Sequence, residues 1–289
     1  MIRRPPRSTQ GVSSAASDVY KRQGGPSTGM PTRTQQSDIL LCAYASHGDT
    51  KHIVLFPSNP TECFEFSVKA FDLADRFQTP VIVLSDLDIG MNDFSTDKFE
   101  WNDNHNYDRG KVLSKEDLDN IDRFGRYLDI DGDGIPYRTY PGTHPEKGAF
   151  FTRGSSHDEY AVYTEDGKVN ARNLSRILKK HENASQHVPK PVILSNNNSL
   201  GVVYFGGSEY SMIESLDYLN SEGILLDSMR IRSFPFNDEV DNFITSHDLV
   251  FVVEQNRDAQ MKKLLLAESK ANLSSDKLIS VLCFDGMPI

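Results

Sequence analysis

Short apolar runs alternate with segments of helical periodicity in two stretches of the chain, residues 24–95 and 191–289. In the first stretch, the apolar runs His52–Phe56 and Val81–Ser85 flank a helical pattern that begins after Asn59. In the second stretch, the alternation repeats through four apolar runs. Strands that alternate with helices predict an α/β fold with βαβ units and a parallel sheet covered on both faces.

The second stretch predicts a complete series of alternating elements. An apolar strand is expected at Gly201–Phe205, because its residues are continuously apolar and a Gly-Gly turn follows. The elements expected after it are helix Ser208–Asn220, strand Met229–Phe234, helix Asp238–Thr245, strand Leu249–Val253, helix Ala259–Lys270 and strand Ile279–Phe284.

Residues 96–190 have a different pattern, which is polar, rich in turns and interrupted by Gly and Pro. We interpret this part as a connecting region with small elements of its own. The expected elements are helices near Lys115–Tyr127 and Ala171–His181, and short strands Gly148–Thr152 and Tyr160–Thr164 around a turn.

Composition and charge exclude several classes of protein. The chain has 289 residues with 31 Lys and Arg against 41 Asp and Glu, a formal charge of −10. An acidic chain lacks the clustered cations that nucleic acids and anionic membranes require, so neither partner is expected. Cys42, Cys63 and Cys283 stand far apart, which excludes a self-contained iron–sulfur or zinc site and favours a reducing, cytoplasmic compartment.

The first 23 residues carry five basic side chains and one acid, Asp18, without an apolar stripe. This composition is typical of a transit peptide or of a disordered basic arm. The segment also closely resembles translated sequencing-adapter read-through at the ends of metagenomic contigs, which begins MIRRPPRST and ends SAASDVYKRQ. We therefore expect residues 1–23 to be non-native and disordered, and the genuine chain to begin at Gly24.

Three motifs carry candidate chemistry. The loop Gly24–Thr32 (GGPSTGMPT) combines glycines with the hydroxyls of Ser27, Thr28 and Thr32, which can donate to an anionic or carbonyl oxygen, although an ordinary turn has the same composition. Residues 129–134 (DIDGDG) resemble the start of a calcium-binding loop or form a rigid Asp/Gly turn. Gly206 and Gly207 can cradle a phosphate before a helix or can simply form the turn.

Several motifs occur in one order along residues 24–289. They are GGPSTGMPT, RTQQSD, YASHGD, FDLADRFQTPVIVLSD, RFGRYLDIDGDGIPYRTYPG, FTRGSSHDEYAVYTEDG and FVVEQNRDAQ. In this order they resemble the α subunit of 2-oxoacid:ferredoxin oxidoreductases of the 2-oxoglutarate type.

The resemblance implies a fold and an activity. Residues 24–95 would be the end of a thiamine pyrimidine-binding domain, 96–190 the connecting region, and 191–289 a transketolase C-terminal-like domain. Thiamine diphosphate would be shared with a β subunit that carries the pyrophosphate-binding domain, Mg²⁺ and an iron–sulfur cluster. The heterodimer would decarboxylate a 2-oxoacid oxidatively, transfer the acyl group to coenzyme A and pass electrons to ferredoxin.

The resemblance also places site residues. Thr32 matches a loop threonine whose hydroxyl faces the substrate, with Ser27 and Thr28 beside it, and His47 matches a histidine near the thiamine site. A structural role for His47 is the alternative. Gln23 stands where the family has a substrate-binding Arg, and the upstream YPITP motif and thiamine-activating Glu have no counterpart.

These departures limit what this chain can do. No catalytic residue and no metal ligand is assigned to it, and as a truncated fragment it is expected to be inactive alone. The sequence does not separate 2-oxoglutarate from related 2-oxoacids. A non-catalytic transketolase-like assembly module or a subunit of another thiamine diphosphate enzyme is the alternative, and a small calcium-binding protein is a third interpretation.

Overall fold

The computed structural model describes residues 17–20, 33–152 and 156–287. Two sheets account for the strands of these residues, one with four strands and one with five. The first sheet has the order β1-β3-β2-β7, and the second has the order β4-β6-β5-β8-β9.

The four-stranded sheet joins distant parts of the chain. Strand β3 (Val81–Leu84) lies between β1 (Ser17–Tyr20) and β2 (Ile53–Leu55) and is parallel to both. Strand β7 (Ser233–Phe234) pairs antiparallel with β2. A backbone ladder therefore connects the two stretches that the sequence assigns to separate domains.

Strand β1 lies inside the segment that the sequence predicts to be disordered. Its four residues pair in register with Val81–Leu84, so the structure differs from the prediction at these positions. The physical reason is that a β-strand edge offers unpaired N–H and C=O groups, which any extended segment can satisfy through its backbone. The remainder of the predicted disordered segment, and the loop with Ser27, Thr28 and Thr32, lie outside the described residues.

The helix between β2 and β3 confirms the predicted βαβ unit. Helix α2 (Pro60–Phe77) begins where the Asn59 side chain accepts a hydrogen bond from the Glu62 N–H at 2.9 Å. It ends at Gln78, which has left-handed backbone angles. Its apolar stripe packs on the sheet and buries Phe66, Ala70, Leu73, Ala74 and Phe77. The short helix α1 (Ile39–Ala43) precedes β2.

Three helices lie between the two sheets in sequence: α3 (Leu87–Met91), α4 (Lys115–Asp119) and α5 (Gly167–Ala184). Helix α4 is shorter than the predicted helix near Lys115–Tyr127. The Lys147 ammonium donates to the carbonyls of Leu118, Asp119 and Ile121 and so satisfies the carbonyl groups at the end of α4 without a further turn.

The prediction of short strands at Gly148–Thr152 and Tyr160–Thr164 is wrong, since the described residues of this region form no strand. A single antiparallel bridge joins His157 and Tyr163. The Asp158 carboxylate accepts hydrogen bonds from the N–H groups of Tyr160 and Val162, each at 2.9 Å. These bonds take up backbone donors that a longer ladder would use, so the segment remains a turn.

The five-stranded sheet confirms the predicted alternation and corrects two details. The predicted strand Met229–Phe234 divides into β6, which lies in this sheet, and β7, which lies in the four-stranded sheet. Strand β4 (Val192–Leu194) is antiparallel to β6, whereas the other neighbouring strands are parallel. The sheet is therefore mixed. Its edge strand β4 is also uncovered, since Val192 is 39% exposed and Leu194 is 64% exposed. The remaining strands are β5 (Leu200–Phe205), β6 (Asp227–Ile231), β8 (Leu249–Glu254) and β9 (Leu278–Leu282). The helices are α6 (Glu209–Ser221), α7 (Asp238–Ser246) and α8 (Gln260–Glu268).

One hydrophobic core spans both sheets. Val54 and Phe56 of the first stretch pack in the same cluster as Phe205 and Phe234 of the second. The rings of Phe56 and Phe205 meet edge to face with 5.6 Å between centroids. Within the described ranges, no helix is both long enough and apolar enough to cross a bilayer.

Candidate functional site

Three strands from the two sheets, β3, β5 and β8, end around the side chain of Gln36. Strand β3 is followed by Asp86, strand β5 by the turn 206–208, and strand β8 by Gln255 and Asn256. Gln36 is 6% exposed and lies four positions after Thr32, in the RTQQSD motif. In open α/β sheets, ligands bind outside the carboxyl ends of the strands. We therefore take this cluster as the candidate site.

The backbone of Gln36 is bonded to the end of β8. Its N–H donates to the Gln255 carbonyl at 2.9 Å, and its own carbonyl accepts from the Asn256 amide at 3.1 Å. The Gln36 side-chain oxygen also accepts from the Gln255 N–H at 3.2 Å. Gln36 is therefore fixed against the turn that follows β8 by one backbone bond and two bonds that involve side chains.

The side-chain amide of Gln36 reaches the other two strand ends. Its Nε2 lies 3.1 Å from the Phe205 carbonyl, 3.3 Å from Ser208 Oγ and 3.3 Å from Asp86 Oδ2. One buried amide therefore links both sheets. A buried network of this kind specifies one arrangement, because an unpaired member would cost its full desolvation free energy.

Asp86 fills the Gly-Gly turn that follows β5. Its Oδ2 accepts from the Gly207 N–H at 2.7 Å, and its Oδ1 accepts from the Ile89 N–H at 3.2 Å at the start of α3. A Cβ added to Gly207 would lie 2.6 Å from Asp86 Oδ1, so this position requires glycine. The interpretation of Gly206 and Gly207 as a phosphate cradle is wrong, since a carboxylate of the protein occupies it.

Glu254 holds the start of α8 in the same region. Its carboxylate accepts from the N–H groups of Met261 at 2.7 Å and Lys262 at 3.0 Å. It also accepts from the Asn256 amide at 2.8 Å. In the FVVEQNRDAQ motif, the Glu254 carboxylate therefore has two roles. It caps the positive end of α8, and it orients the Asn256 amide toward Gln36.

Gln36, Asp86 and Glu254 were not among the site residues predicted from the sequence. Asp86 and Glu254 carry a recognisable signal, because each lies at the carboxyl end of an apolar run. Gln36 carries no such signal. Its importance depends on contacts with residues more than 160 positions away.

The structure places His47 near the amino end of strand β2, on the other side of the first sheet from the carboxyl strand ends. His47 is exposed on the loop between α1 and β2, next to Ser46 and Gly48, which have φ angles of 81° and 77°. This loop enters β2 at its amino end, whereas Gln36 and Asp86 lie at carboxyl ends. The structure therefore does not bring His47 together with the Gln36 network, and its role at the site stays a prediction.

A cavity of about 580 Å³ lies near this amino edge, between α5 and the residues that precede β2 and β3. Burial lowers the pKa of His181 to about 4. Burial, with the charges of Arg176 and Arg126, lowers the pKa of Lys180 to about 8. Lys180 Nζ donates to the Gln78 carbonyl at 3.3 Å, so this ammonium ties α5 to the end of α2.

The DIDGDG turn contains a protein cation. Lys111 Nζ lies 2.6 Å from Asp131 Oδ2 and 2.8 Å from Asp133 Oδ1, and it donates to the Ile135 carbonyl at 3.1 Å. The third carboxylate, Asp129, accepts from the Gly134 N–H at 2.9 Å. Among the described residues, no group of three or more His, Cys, Asp or Glu side chains is placed to hold a metal. The pairing of Lys111 with two of the three carboxylates favours the rigid turn over the calcium-binding interpretation.

Comparison with known proteins identifies relatives of this chain. Residues 18–181, more than half of the chain, match the family model described as pyruvate flavodoxin/ferredoxin oxidoreductase, thiamine diphosphate-binding. Subunit alpha of 2-oxoacid:ferredoxin oxidoreductase 2 from Aeropyrum pernix is 31% identical over 274 residues, which cover 92% of this chain and 41% of that protein. The 2-oxoglutarate synthase subunit KorA of Methanothermobacter marburgensis is 28% identical, over 82% of this chain and 62% of the relative.

A solved structure has the same fold. The 2-oxoglutarate:ferredoxin oxidoreductase from Magnetococcus marinus, with 2-oxoglutarate, coenzyme A and succinyl-CoA bound, superposes with a TM-score of 0.79 at 22% identity. The match covers 96% of this chain and 47% of that one. This chain thus spans about two fifths of the length of the Aeropyrum relative and about half of the solved one. The chain belongs to the thiamine diphosphate-binding family of pyruvate flavodoxin/ferredoxin oxidoreductases.

Proposed function

We propose that this chain is part of the α subunit of a thiamine diphosphate-dependent 2-oxoacid:ferredoxin oxidoreductase. The reaction is the oxidative decarboxylation of a 2-oxoacid, with the acyl group transferred to coenzyme A and the electrons to ferredoxin. The observation that carries this proposal is the bonding of Gln36 to the carboxyl ends of β3, β5 and β8. That network fastens the segment directly after GGPSTGMPT at the sheet edge where α/β proteins bind ligands.

The described residues form no site for the diphosphate end of thiamine diphosphate. The Gly-Gly turn is filled by Asp86, and the described ranges hold no metal-binding group. The diphosphate and its Mg²⁺ therefore do not fit this part of the chain. We assign them, with the iron–sulfur cluster, to a β subunit that carries the pyrophosphate-binding domain.

The contribution of this chain is to orient the substrate. Gln36 is held by backbone and side-chain bonds, so the loop that ends four residues earlier starts from a rigid anchor. We assign to Thr32 a hydrogen bond to a carboxylate or carbonyl oxygen of the 2-oxoacid, with Ser27 and Thr28 as further donors. Hydrogen bonds to a charged group contribute about 1.5–3 kcal/mol each, which suffices to select an orientation.

The substrate we propose is 2-oxoglutarate, with coenzyme A as co-substrate. Two kinds of relative support it: subunits named 2-oxoglutarate synthase subunit KorA, and a solved enzyme with 2-oxoglutarate and coenzyme A bound. We place the complex in the cytoplasm, and the three free cysteines are compatible with that reducing compartment.

Activity of the assembled enzyme tests this proposal. The full-length α chain that contains this segment would be co-expressed with its β subunit, and ferredoxin reduction measured with 2-oxoglutarate or pyruvate as substrate. We expect reduction to require coenzyme A and thiamine diphosphate and to be faster with 2-oxoglutarate. Binding of the β subunit without any turnover would contradict the proposal and favour an assembly module.

The isolated 289-residue chain provides a second test. It should neither oxidise 2-oxoacids nor bind thiamine diphosphate tightly, because the described residues offer no partner to the diphosphate and its metal. Calorimetric titration with thiamine diphosphate and Mg²⁺ measures this directly. Micromolar binding by the isolated chain would contradict the division of the cofactor between two subunits.

A further inference from the structure

An exposed aromatic cluster lies on the outer side of α2, away from the Gln36 network. The rings of Phe64 and Phe99 stack with 5.3 Å between centroids, and Trp101 meets Phe64 edge-on at 6.2 Å. Phe99 nevertheless remains 45% exposed and Trp101 remains 54% exposed. Adjacent exposed aromatic rings are typical of interaction sites rather than of ordinary surface.

A pocket of about 210 Å³ opens within this cluster. Its size suits one long side chain and not a helix, whose diameter is about 10 Å. It is lined by Phe64, Glu65, Val68, Glu100, Trp101, Asn102 and His105.

Acidic residues outnumber basic ones around the pocket, where Lys69 on α2 and Lys98 are the nearby lysines in sequence. Glu65 and Glu100 are both exposed at its edge, and neither forms an ion pair with any residue in the described ranges. His105 is engaged by Asp72, with 3.0 Å between Nε2 and Oδ2. The segment from 93 to 108 holds five acidic residues, whereas its only Lys or Arg is Lys98. A cationic group would therefore be attracted to this pocket.

On the same surface, the guanidinium of Arg109 already contacts both an aromatic ring and a carboxylate. The Arg109 guanidinium carbon lies 5.3 Å from the Tyr107 ring centroid, and Arg109 Nη1 lies 2.7 Å from Asp75 Oδ2. An aromatic face together with a carboxylate is the environment that a guanidinium prefers, because its planar group stacks and its N–H fork pairs with carboxylates.

We propose that this pocket binds an arginine side chain presented by a partner protein, with the guanidinium on Trp101 and paired to Glu65 and Glu100. Arginine is the occupant rather than lysine because two carboxylates and an indole match a planar fork better than a compact ammonium. This inference is independent of the proposed enzymatic function, since it uses none of the residues of the Gln36 network.

Trp101 makes the pocket directly observable, since it is the only tryptophan of the chain. Its fluorescence in the 289-residue chain would be titrated with acetyl-arginine amide and, separately, with acetyl-citrulline amide, which has the same shape without the charge. We expect a saturable change with the arginine compound at low salt and a clearly weaker response with the citrulline compound. A linear, non-saturable response, or equal responses to both compounds, would overturn the proposal.

Variants of the acidic residues test whether acetyl-arginine amide binds at this pocket. The double variant Glu65→Gln, Glu100→Gln should weaken binding of acetyl-arginine amide roughly fivefold, in keeping with exposed charge pairs. Glu222→Gln, which removes an exposed carboxylate next to α6, should leave binding unchanged. Thermal melting of all variants checks that folding is intact. Unaltered affinity in the folded double variant would also overturn the proposal.

Discussion

Arg230 of β6 and Glu62 of α2 form a buried, two-pronged ion pair between the two predicted domains. Arg230 Nη1 lies 2.7 Å from Glu62 Oε2, and Arg230 Nη2 lies 2.9 Å from Glu62 Oε1. Arg232 Nη2 approaches the same carboxylate at 2.9 Å, and Glu209 pairs with Arg230 Nε at 2.9 Å. The pair joins residues 168 positions apart in sequence, so it forms only when both sheets are assembled.

Removing the Glu62 charge should destabilise the fold. Burial alone would raise the pKa of Glu62, but the hydrogen bonds and charges of Arg230, with the charge of Arg232, lower it below its ordinary value of 4.5. Glu62→Gln leaves two guanidinium groups without their shared carboxylate and should cost about 3 kcal/mol in urea unfolding at pH 7. Glu65→Gln, on the same helix but exposed, is the control.

The pair of Glu62 and Arg230 should also make the free energy of unfolding depend on pH. Because the pKa of Glu62 is lower in the folded state than in the unfolded state, its contribution is present above pH 4.5 and is lost as pH falls through the folded value. The difference in unfolding free energy between wild type and Glu62→Gln should therefore shrink below pH 4.5. A difference that stays constant down to pH 3 would contradict this assignment.

Gln36→Glu should disrupt the candidate site at constant shape. The new carboxylate would replace the Nε2 donor, which lies 3.3 Å from Asp86 Oδ2, and would leave the Phe205 carbonyl without that donor. We expect a loss of about 2 kcal/mol or more in chemical denaturation, because like charges and unpaired buried groups are both costly. Gln35→Glu, at the half-buried neighbouring position, should cost much less. Equal losses would show that Gln36 is not the anchor of this segment.

Calcium should not stabilise the wild-type chain, since the Lys111 ammonium is already paired with both Asp131 and Asp133. Lys111→Gln removes this internal cation and leaves the two carboxylates close together. We expect the variant to have a lower melting temperature that rises again on addition of millimolar calcium, because oxygen ligands in a turn bind that ion. Thermal melting with and without calcium measures both effects. A calcium-dependent shift in the wild type would restore the calcium-binding interpretation.

His181 should make stability fall between pH 6.5 and pH 4. Burial lowers the pKa of His181 from 6.5 to about 4. Between these pH values, His181 is protonated in the unfolded chain and neutral in the folded chain. Stability is therefore complete above pH 6.5 and is lost progressively toward pH 4, by roughly 3 kcal/mol for this group. His181→Gln should remove that part of the pH dependence in urea unfolding. A pH dependence that is the same in His181→Gln and in the wild type would contradict this assignment.

Thr32→Val should affect turnover and spare the fold. In the assembled α and β chains, loss of a hydrogen bond to the 2-oxoacid should lower kcat/KM roughly 10- to 150-fold. Valine keeps the shape of threonine, so the melting temperature should be unchanged. Kinetics equal to the wild type, or a kinetic loss fully explained by unfolding, would remove Thr32 from the substrate site.

Local chemistry in the sequence determined most of the regular elements. The apolar run Ile53–Leu55, the Asn59 cap and the helical stripe of α2 are properties of neighbouring residues, so they could be predicted without knowing what packs on them. The order of the strands and helices indicated a βαβ architecture for the same reason. The order of the motifs likewise indicated the family.

Tertiary structure alone decided the candidate site. Gln36 is an ordinary residue in a polar motif until the folded chain brings Phe205 and Asn256 to it, from 169 and 220 positions away. The same holds for Lys111, whose ammonium pairs with two carboxylates of the DIDGDG turn, and for β7, which pairs with β2 of the first sheet. Hydrogen bonds and ion pairs of this kind depend on which strand ends become neighbours. That adjacency follows from long-range packing, and local periodicity contains no information about it.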